Sequence, residues 1–301
     1  MVKRLGQCWQ AQYWQAIVAI GLMLPLLVYA LLAFQLPPRA PYQQMLFPGM
    51  DYQRLVFSSP RPYILHLVTV DLTTPGLQAF VTPGRAVDRR GETVARTTSQ
   101  FLQEFNLQLA VNANYFYPFR EKTPWDFYPG VGDRVNVVGQ SISNGDRYAP
   151  GRDDWAALCI STSNRAQIAA HGNCPSDTAQ AVAGREALLL NGNPIPAKPD
   201  AEPDKPYPRT AIALDTTGTT LWIAIVDGKQ PLYSEGVTLA ELTRIFQELG
   251  ADSALNLDGG GSTTLVANLH SKPTVLNAPI HTKIPTRERA IANHLGFYSQ
   301  P

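Results

Sequence analysis

An excess of either charge is missing from this sequence. Its 25 Lys and Arg face 24 Asp and Glu, a formal net charge of +1, which excludes binding driven by neutralising nucleic-acid phosphates. Histidine is scarce: five are scattered along the chain with no H-E-x-x-H spacing, so no metal set is legible. Only three cysteines occur, Cys8, Cys159 and Cys174, and none forms a C-x-x-C pair; this argues against a zinc module. No lysine follows a glycine run as a P-loop requires, no Ser/His/Asp order emerges, and no regular repeat points to a solenoid or propeller. Asn-x-Ser/Thr is absent, so glycosylation gives no sign of compartment.

Apolar residues are plentiful. They make up 45% of 301 residues, enough for one large core or two modest ones. The N-terminus differs in kind from the rest. Lys3 and Arg4 precede Ala16 to Phe34, a stretch without a single charge, and a bilayer needs roughly 20 such residues. The boundaries expected are a cytoplasmic tail over 1–15, a transmembrane signal-anchor over 16–36, a proline-containing linker over 37–60 and one domain over 61–301. A cleaved signal peptide is the alternative. Either way the domain is exported, to the periplasm or beyond. In such an oxidising place Cys159 and Cys174, on either side of an expected hairpin, can form a disulfide; the alternative is two separate buried thiols.

YILHLVTVDL, from Tyr63, alternates as a strand does, and LQAFV after the turn TTPG reads as its hairpin partner. Thr98 to Phe105 carries apolar residues at helical spacing and leads into the buried strand LQLAVNANYF. TLAELTRIFQELGA is the better-specified helix, with Thr238 and Glu241 in capping-box register and Gly250 at the C-terminal cap. Many strands and few helices predict an α+β fold: a single mixed, largely antiparallel β-sheet domain with a few packed helices, preceded by one transmembrane helix. Tyr115 to Val135 is a long aromatic loop, either a lid or an Ω-loop packed on itself.

The strongest chemical candidate is NLDGGGSTTLV, Asn256 to Val266. Asp258 ends a strand. Gly259, Gly260 and Gly261 let the backbone approach a bound group and can offer N–H groups to an anion, and Ser262, Thr263 and Thr264 add hydroxyls. A tight hairpin with an exposed aspartate is the plain alternative. Arg209, at the mouth of the strand in YPRTAIALD, suits bidentate recognition of phosphate or carboxylate. Asn112 and Asn114 at a strand end can orient a polar ligand. Asn144-Gly145 and Asp227-Gly228 fit ligand contacts or plain turns equally well.

In this order, YILHLVTVDL, AVNANYF, SISNG, PRTAIALD with VDG, GVTLAELTRIFQELGADSALNLDGGGSTTLV and ERAIANHLGFY resemble the phosphodiester glycosidase family over Tyr63 to Tyr298. That family includes the uncovering enzyme, which removes N-acetylglucosamine from a phosphodiester-capped mannose, and exported bacterial proteins related to exopolysaccharide. Ala113 and Asn114 stand here in place of two glycines that the family usually carries. The resemblance implies a membrane-anchored hydrolase cleaving the glycosidic bond of a sugar-1-phosphate diester, with a sugar-phosphate or polysaccharide substrate. Asp258 would be base or nucleophile, with Arg209 and the glycine amides on phosphate. Asn112, Asn114, Asn144, Gly145, Asp227, Ser262 and Thr263 would contact the substrate. No cofactor is firmly implied, although Asp258 and Asp227 can ligate a divalent cation such as calcium. The alternative is a non-catalytic module that binds anionic polysaccharide in envelope or exopolysaccharide assembly.

Overall fold

The computed structural model describes residues 14, 17–19, 21, 23–25, 27–86, 91–196 and 203–299. Three antiparallel sheets share one core. The largest has eight strands, in the order Tyr42–Phe47, Met50–Phe57, Tyr63–Asp71, Thr220–Val226, Arg209–Leu214, Ser253–Asn256, Glu186–Leu190 and Asn193–Pro194. A five-stranded sheet runs Lys272–Val275, Leu265–Leu269, Leu109–Asn112, His294–Ser299 and Leu77–Val81. A second five-stranded sheet contains Ser141–Ser143, Thr178–Gly184 and Ala156–Ser161. Val68, Ile212, Ile223 and Leu255 of the first, Val111, Leu265 and Leu295 of the second, and Leu158 and Val182 of the third meet in the main core.

Alternation along RTAIAL explains how the largest sheet is covered on both faces. Ile212 and Leu214 point into the main core, whereas Ala211 and Ala213 face a helix. That helix, α2 (Leu239–Glu248), presents Leu242 and Phe246 to these alanines, whose small side chains let it lie close. Its capping box is formed: Glu241 N donates to Thr238 Oγ1 at 3.1 Å, and Thr238 N donates to the Glu241 carboxylate at 2.8 Å. The shorter helix α1 (Thr98–Glu104) buries Phe101 and Leu102 beside Ala110 and Val266 of the second sheet.

Two expectations change. Leu77–Val81 does not form a hairpin with Tyr63–Asp71; it pairs with His294–Ser299 in the second sheet. The turn at Pro75-Gly76 carries the chain across the core instead of back along one edge, so Leu77–Val81 buries an alternating face in the second sheet while Tyr63–Asp71 is covered on both faces. The segment read as a linker over 37–60 contains two paired strands, Tyr42–Phe47 and Met50–Phe57, at the edge of the largest sheet. Among the described residues no helix is long and apolar enough to cross a membrane. The segment expected to do so, 16–36, falls partly on residues outside the described ones. Cys159 and Cys174 form a disulfide, with Cα atoms 5.6 Å apart.

Candidate active site

Three strand ends build the site. Arg209–Leu214 lies between Thr220–Val226 and Ser253–Asn256 and is antiparallel to both. The C-terminal ends of both neighbours therefore flank Pro208, at its entrance. Asp227-Gly228 follows one and Asp258-Gly259 follows the other. A Cβ on Gly228 would lie 2.7 Å from Pro208 N, and one on Gly259 would lie 2.6 Å from Pro208 O. Both positions demand glycine because backbone approaches backbone there.

Asp258 is held from behind. Its N–H donates to Ala113 O at 2.9 Å, and its carbonyl accepts Asn112 Nδ2 at 2.5 Å. Burial pushes its carboxyl up to about 6. The positive charge of Arg289, the Ser262 hydroxyl and the Gly259 N–H oppose that shift without cancelling it. The result is a carboxylate that is ionised at neutral pH and takes a proton readily. Tyr115 is close by. Burial raises its hydroxyl far above the ordinary value, and the charges of Asp258 and Glu186 push in the same direction.

Arg289 links this carboxylate to a cleft of about 880 Å³, lined in part by Glu121, Lys229, Gly261, Lys283 and Arg289. Its Nη1 donates to Ser262 Oγ at 3.1 Å and its Nε to His281 Nδ1 at 3.2 Å, while Nη2 pairs with the Glu121 carboxylate. The Phe119 ring lies 4.6 Å from its guanidinium carbon. Burial, and then the Arg289 charge, push His281 down to about 4. A neutral imidazole is what lets Nδ1 accept from an arginine.

Each glycine of the triplet has its own contact. Gly259 meets the Pro208 carbonyl. A Cβ on Gly260, where φ is +64°, would strike the Tyr207 ring at 2.9 Å, and one on Gly261 would lie 2.5 Å from Arg289 Nη2. The anticipated row of three anion-binding amides is therefore narrower. The Gly260 N–H donates to Pro208 O at 2.9 Å, and the Gly259 N–H faces Asp258. Instead of a hairpin, Gly260–Ser262 makes a single 3₁₀ turn that sets Ser262 between Asp258 and Arg289.

Other predicted residues lie elsewhere. Arg209 turns away from Asp258: its Nε donates to Val237 O at 3.3 Å and its Nη2 to Lys205 O at 3.3 Å, 3.5 Å from Asp204. Asp204 in turn accepts the Leu239 and Ala240 N–H groups at the start of α2, so Arg209 pins the segment that precedes it, with Pro203, Pro206 and Pro208, to the helix. Asn112 is buried, and its Oδ1 accepts Thr210 Oγ1 at 2.7 Å and Thr264 N at 3.1 Å. Asn114 is buried too, bonded to Val138 O, Ser141 Oγ, Ala183 N and Asn293 Nδ2. These two amides are fully buried and frame the site from inside.

Asn144 and Gly145, with φ of 51° and 85°, form the turn of the Ser141–Ser143/Asp146–Ala149 hairpin. Asn144 accepts Gln180 Nε2 at 2.8 Å, and Gln180 lies four residues, roughly 13 Å, along its strand from Gly184, which packs on Asn256 O. Asp227 is buried and engaged by His66, Asn277 and Ala278. Among the described residues no group of three His, Cys, Asp or Glu is arranged to hold a metal. Thr263 is buried, with its carbonyl accepting Asn277 Nδ2 at 3.1 Å.

Sequence reasoning missed Arg289, His281, Glu121 and Tyr115 as site residues. Arg289 stood in the quoted segment ERAIANHLGFY, and Tyr115 and Glu121 in the aromatic loop, but no local spacing joins them to Asp258.

A strand-end carboxylate lies beside an arginine, over a cleft whose lining mixes Lys229, Lys283 and Arg289 with Glu121 and Glu235. Residues 105–298, more than half of the chain, match the model of the phosphodiester glycosidase family, and the chain belongs to that family. No curated protein matches it. Among solved structures it is similar to the zebrafish N-acetylglucosamine-1-phosphodiester alpha-N-acetylglucosaminidase catalytic domain, auto-inhibited by its pro-peptide. That match has a TM-score of 0.59 at 19% identity and covers 87% of this chain and 88% of that one. A hypothetical protein from Synechocystis gives 0.57 at 14% identity; the match covers 88% of this chain but only 64% of that longer one. A protein described as a putative exported protein from Burkholderia pseudomallei gives 0.52 at 16%, covering 79% and 74%. At these identities the structural likeness speaks for the fold.

Proposed function

We propose that this protein is an exported, membrane-anchored hydrolase that cleaves the glycosidic bond of a sugar-1-phosphate diester. N-acetylglucosamine-type or exopolysaccharide-related glycans are its substrate class. The observation that carries the reading is the Asp258 carboxyl, raised to about 6 at the end of a rigid strand and bridged through Ser262 to Arg289. Asp258 takes a proton from water as the water oxygen bonds to the anomeric carbon. The bond from that carbon to the phosphate oxygen breaks, and its electron pair leaves on the phosphate monoester. A phosphate monoester is a good leaving group, so Arg289 can stabilise the departing charge where ordinary glycosidases need a protonated acid. The Cys159–Cys174 disulfide fits an oxidising compartment outside the cytoplasm. Anchoring is assigned to residues 16–36.

The test is turnover of a panel of sugar-1-phosphate diesters in labelled water. Label in the sugar hydroxyl, lost in Asp258→Asn, is the expected result. Label in the phosphate would mean phosphoryl cleavage instead. Tight binding with no release of sugar or phosphate monoester would favour a non-catalytic polysaccharide-binding module.

A further inference from the structure

The aromatic loop holds a large side chain, Trp125, that its own packing does not explain. Glu121 reaches Arg289 from a hairpin in which Arg120 pairs with Tyr128 and Glu121 with Phe127. One step further out Lys122 N donates to Asp126 O at 2.9 Å, and Trp125 sits on the tip beyond. The tip is pinned. Thr123 Oγ1 accepts Asp126 N at 2.9 Å, Arg120 pairs with Asp126 at 2.8 Å, and Arg287 Nη1 donates to Pro124 O at 3.1 Å. Other aromatic rings of the loop find partners: Phe119 lies against Arg289 and Phe116, and Phe127 against His281 and Arg287. Trp125 is 88% exposed. A large aromatic ring held in water by a braced turn, on the hairpin whose Glu121 lines the cleft, is available to a ligand that extends from that cleft.

We propose that Trp125 is the aglycone-side platform of the cleft, stacking on a pyranose ring of an acidic glycan carried beyond the phosphate. This rests on the glycosyl phosphodiester reading above. The tip begins one residue pair beyond Glu121, which lines the cleft beside Arg289, so the indole stands within reach of a chain that leaves the cleft there. The C–H face of a pyranose is weakly positive and complements the negative face of an indole. Charge gives the second argument. Lys122 flanks the tip and Lys283 lines the same cleft, and among the described residues neither is in an ion pair, which suits a uronate or similar acidic sugar.

The experiment uses the full chain and two diesters with one sugar-1-phosphate, carrying either a methyl group or an acidic tetrasaccharide as aglycone. Trp125→Ala is expected to lower kcat/KM for the long substrate about tenfold through KM, to leave the methyl diester unchanged, and to be largely rescued by Trp125→Phe. Equal loss on both substrates, or no loss on the long one, overturns the proposal. If the unmodified protein turns over neither diester, the hydrolase reading has failed, and a calorimetric titration with the free acidic tetrasaccharide decides this one. Binding weakened in Trp125→Ala and kept in Trp125→Phe supports the platform; no binding to the unmodified protein, or equal binding in Trp125→Ala, overturns it.

Discussion

Asp227 and Asp258 are near twins in sequence and opposites in chemistry. Each ends a strand of the same sheet, each precedes a glycine that Pro208 leaves no room to replace, and the two strands flank the same neighbour. Asp227 is surrounded by donors. His66 Nε2 lies 3.0 Å from Oδ2, while Asn277 Nδ2 at 3.0 Å and Ala278 N at 2.8 Å donate to Oδ1. His66 is itself tied through Nδ1 to Tyr52 Oη at 2.8 Å. Asp258 has burial against its charge and only Ser262, the Gly259 N–H and the nearby Arg289 for it. A strand-end Asp-Gly thus announces a position, and the donors brought by distant segments decide whether it is structural or reactive.

Replacing each aspartate by asparagine should separate the two most sharply. Asp258→Asn is expected to lower kcat by about 10²–10⁴-fold, the usual contribution of a general base, while the protein stays folded. Asp227→Asn should cost about 2–4 kcal/mol in denaturant unfolding, because buried donors lose a charged acceptor, yet keep most turnover at low temperature. The reverse pattern would dissolve the distinction. Stability against pH sharpens it further. The Asp258 carboxyl has a folded value of about 6 against an ordinary 3.8, so the folded state binds its proton more tightly than the unfolded chain does. Its ionised form is a burden above pH 6, relieved as pH falls through 6 and gone below about 4. Asp258→Asn should therefore be more stable than the parent at pH 7.5, by on the order of 1–3 kcal/mol, with the gap closing by pH 4. Activity of the parent should fall as pH drops below about 6, where the base is protonated.

The arginines repeat the comparison. Arg289→Ala is expected to lower kcat/KM for a phosphodiester by about 10²–10³-fold, as losing one preorganised donor to a developing charge does. Arg209→Ala should leave catalysis within a few-fold and lower stability by about 1 kcal/mol, since its guanidinium serves Val237, Lys205 and Asp204. A greater catalytic loss at Arg209 would restore it to the phosphate site.

These pairs show what the sequence could disclose. The α2 helix was legible because its capping box, apolar face and Gly250 lie within a dozen residues, and most strands were legible from alternation. The strand end at Asp258 and the glycine triplet were legible for the same reason. The partner of Leu77–Val81 was not, since 77–81 and 294–299 meet only through the second sheet. Nor was the edge hairpin within 37–60, whose prolines read as a spacer. Arg289 and Glu121 are 168 residues apart and meet across the cleft; a local pattern has no access to such a pair. Arg209 was legible as a strand-mouth residue, but its bonds to Val237, Lys205 and Asp204 are set by segments that no local pattern joins to it.

The smallest effect concerns a third polar-glycine dipeptide, Asn144-Gly145. Both residues have positive φ, as a type I′ hairpin turn requires, and the Asn144 amide oxygen accepts Gln180 Nε2. Alanine at 144 should cost about 1 kcal/mol, because a Cβ there is held in the left-handed region. Glycine removes the amide but restores the backbone freedom, so Asn144→Gly should recover most of that loss, short of the Gln180 bond. If Asn144 instead held a sugar hydroxyl, both variants would raise KM alike whatever their stability. Melting temperature and KM for the pair therefore distinguish a turn from a ligand contact. The expected result is a Tm lower in Asn144→Ala than in Asn144→Gly, with KM unchanged in both.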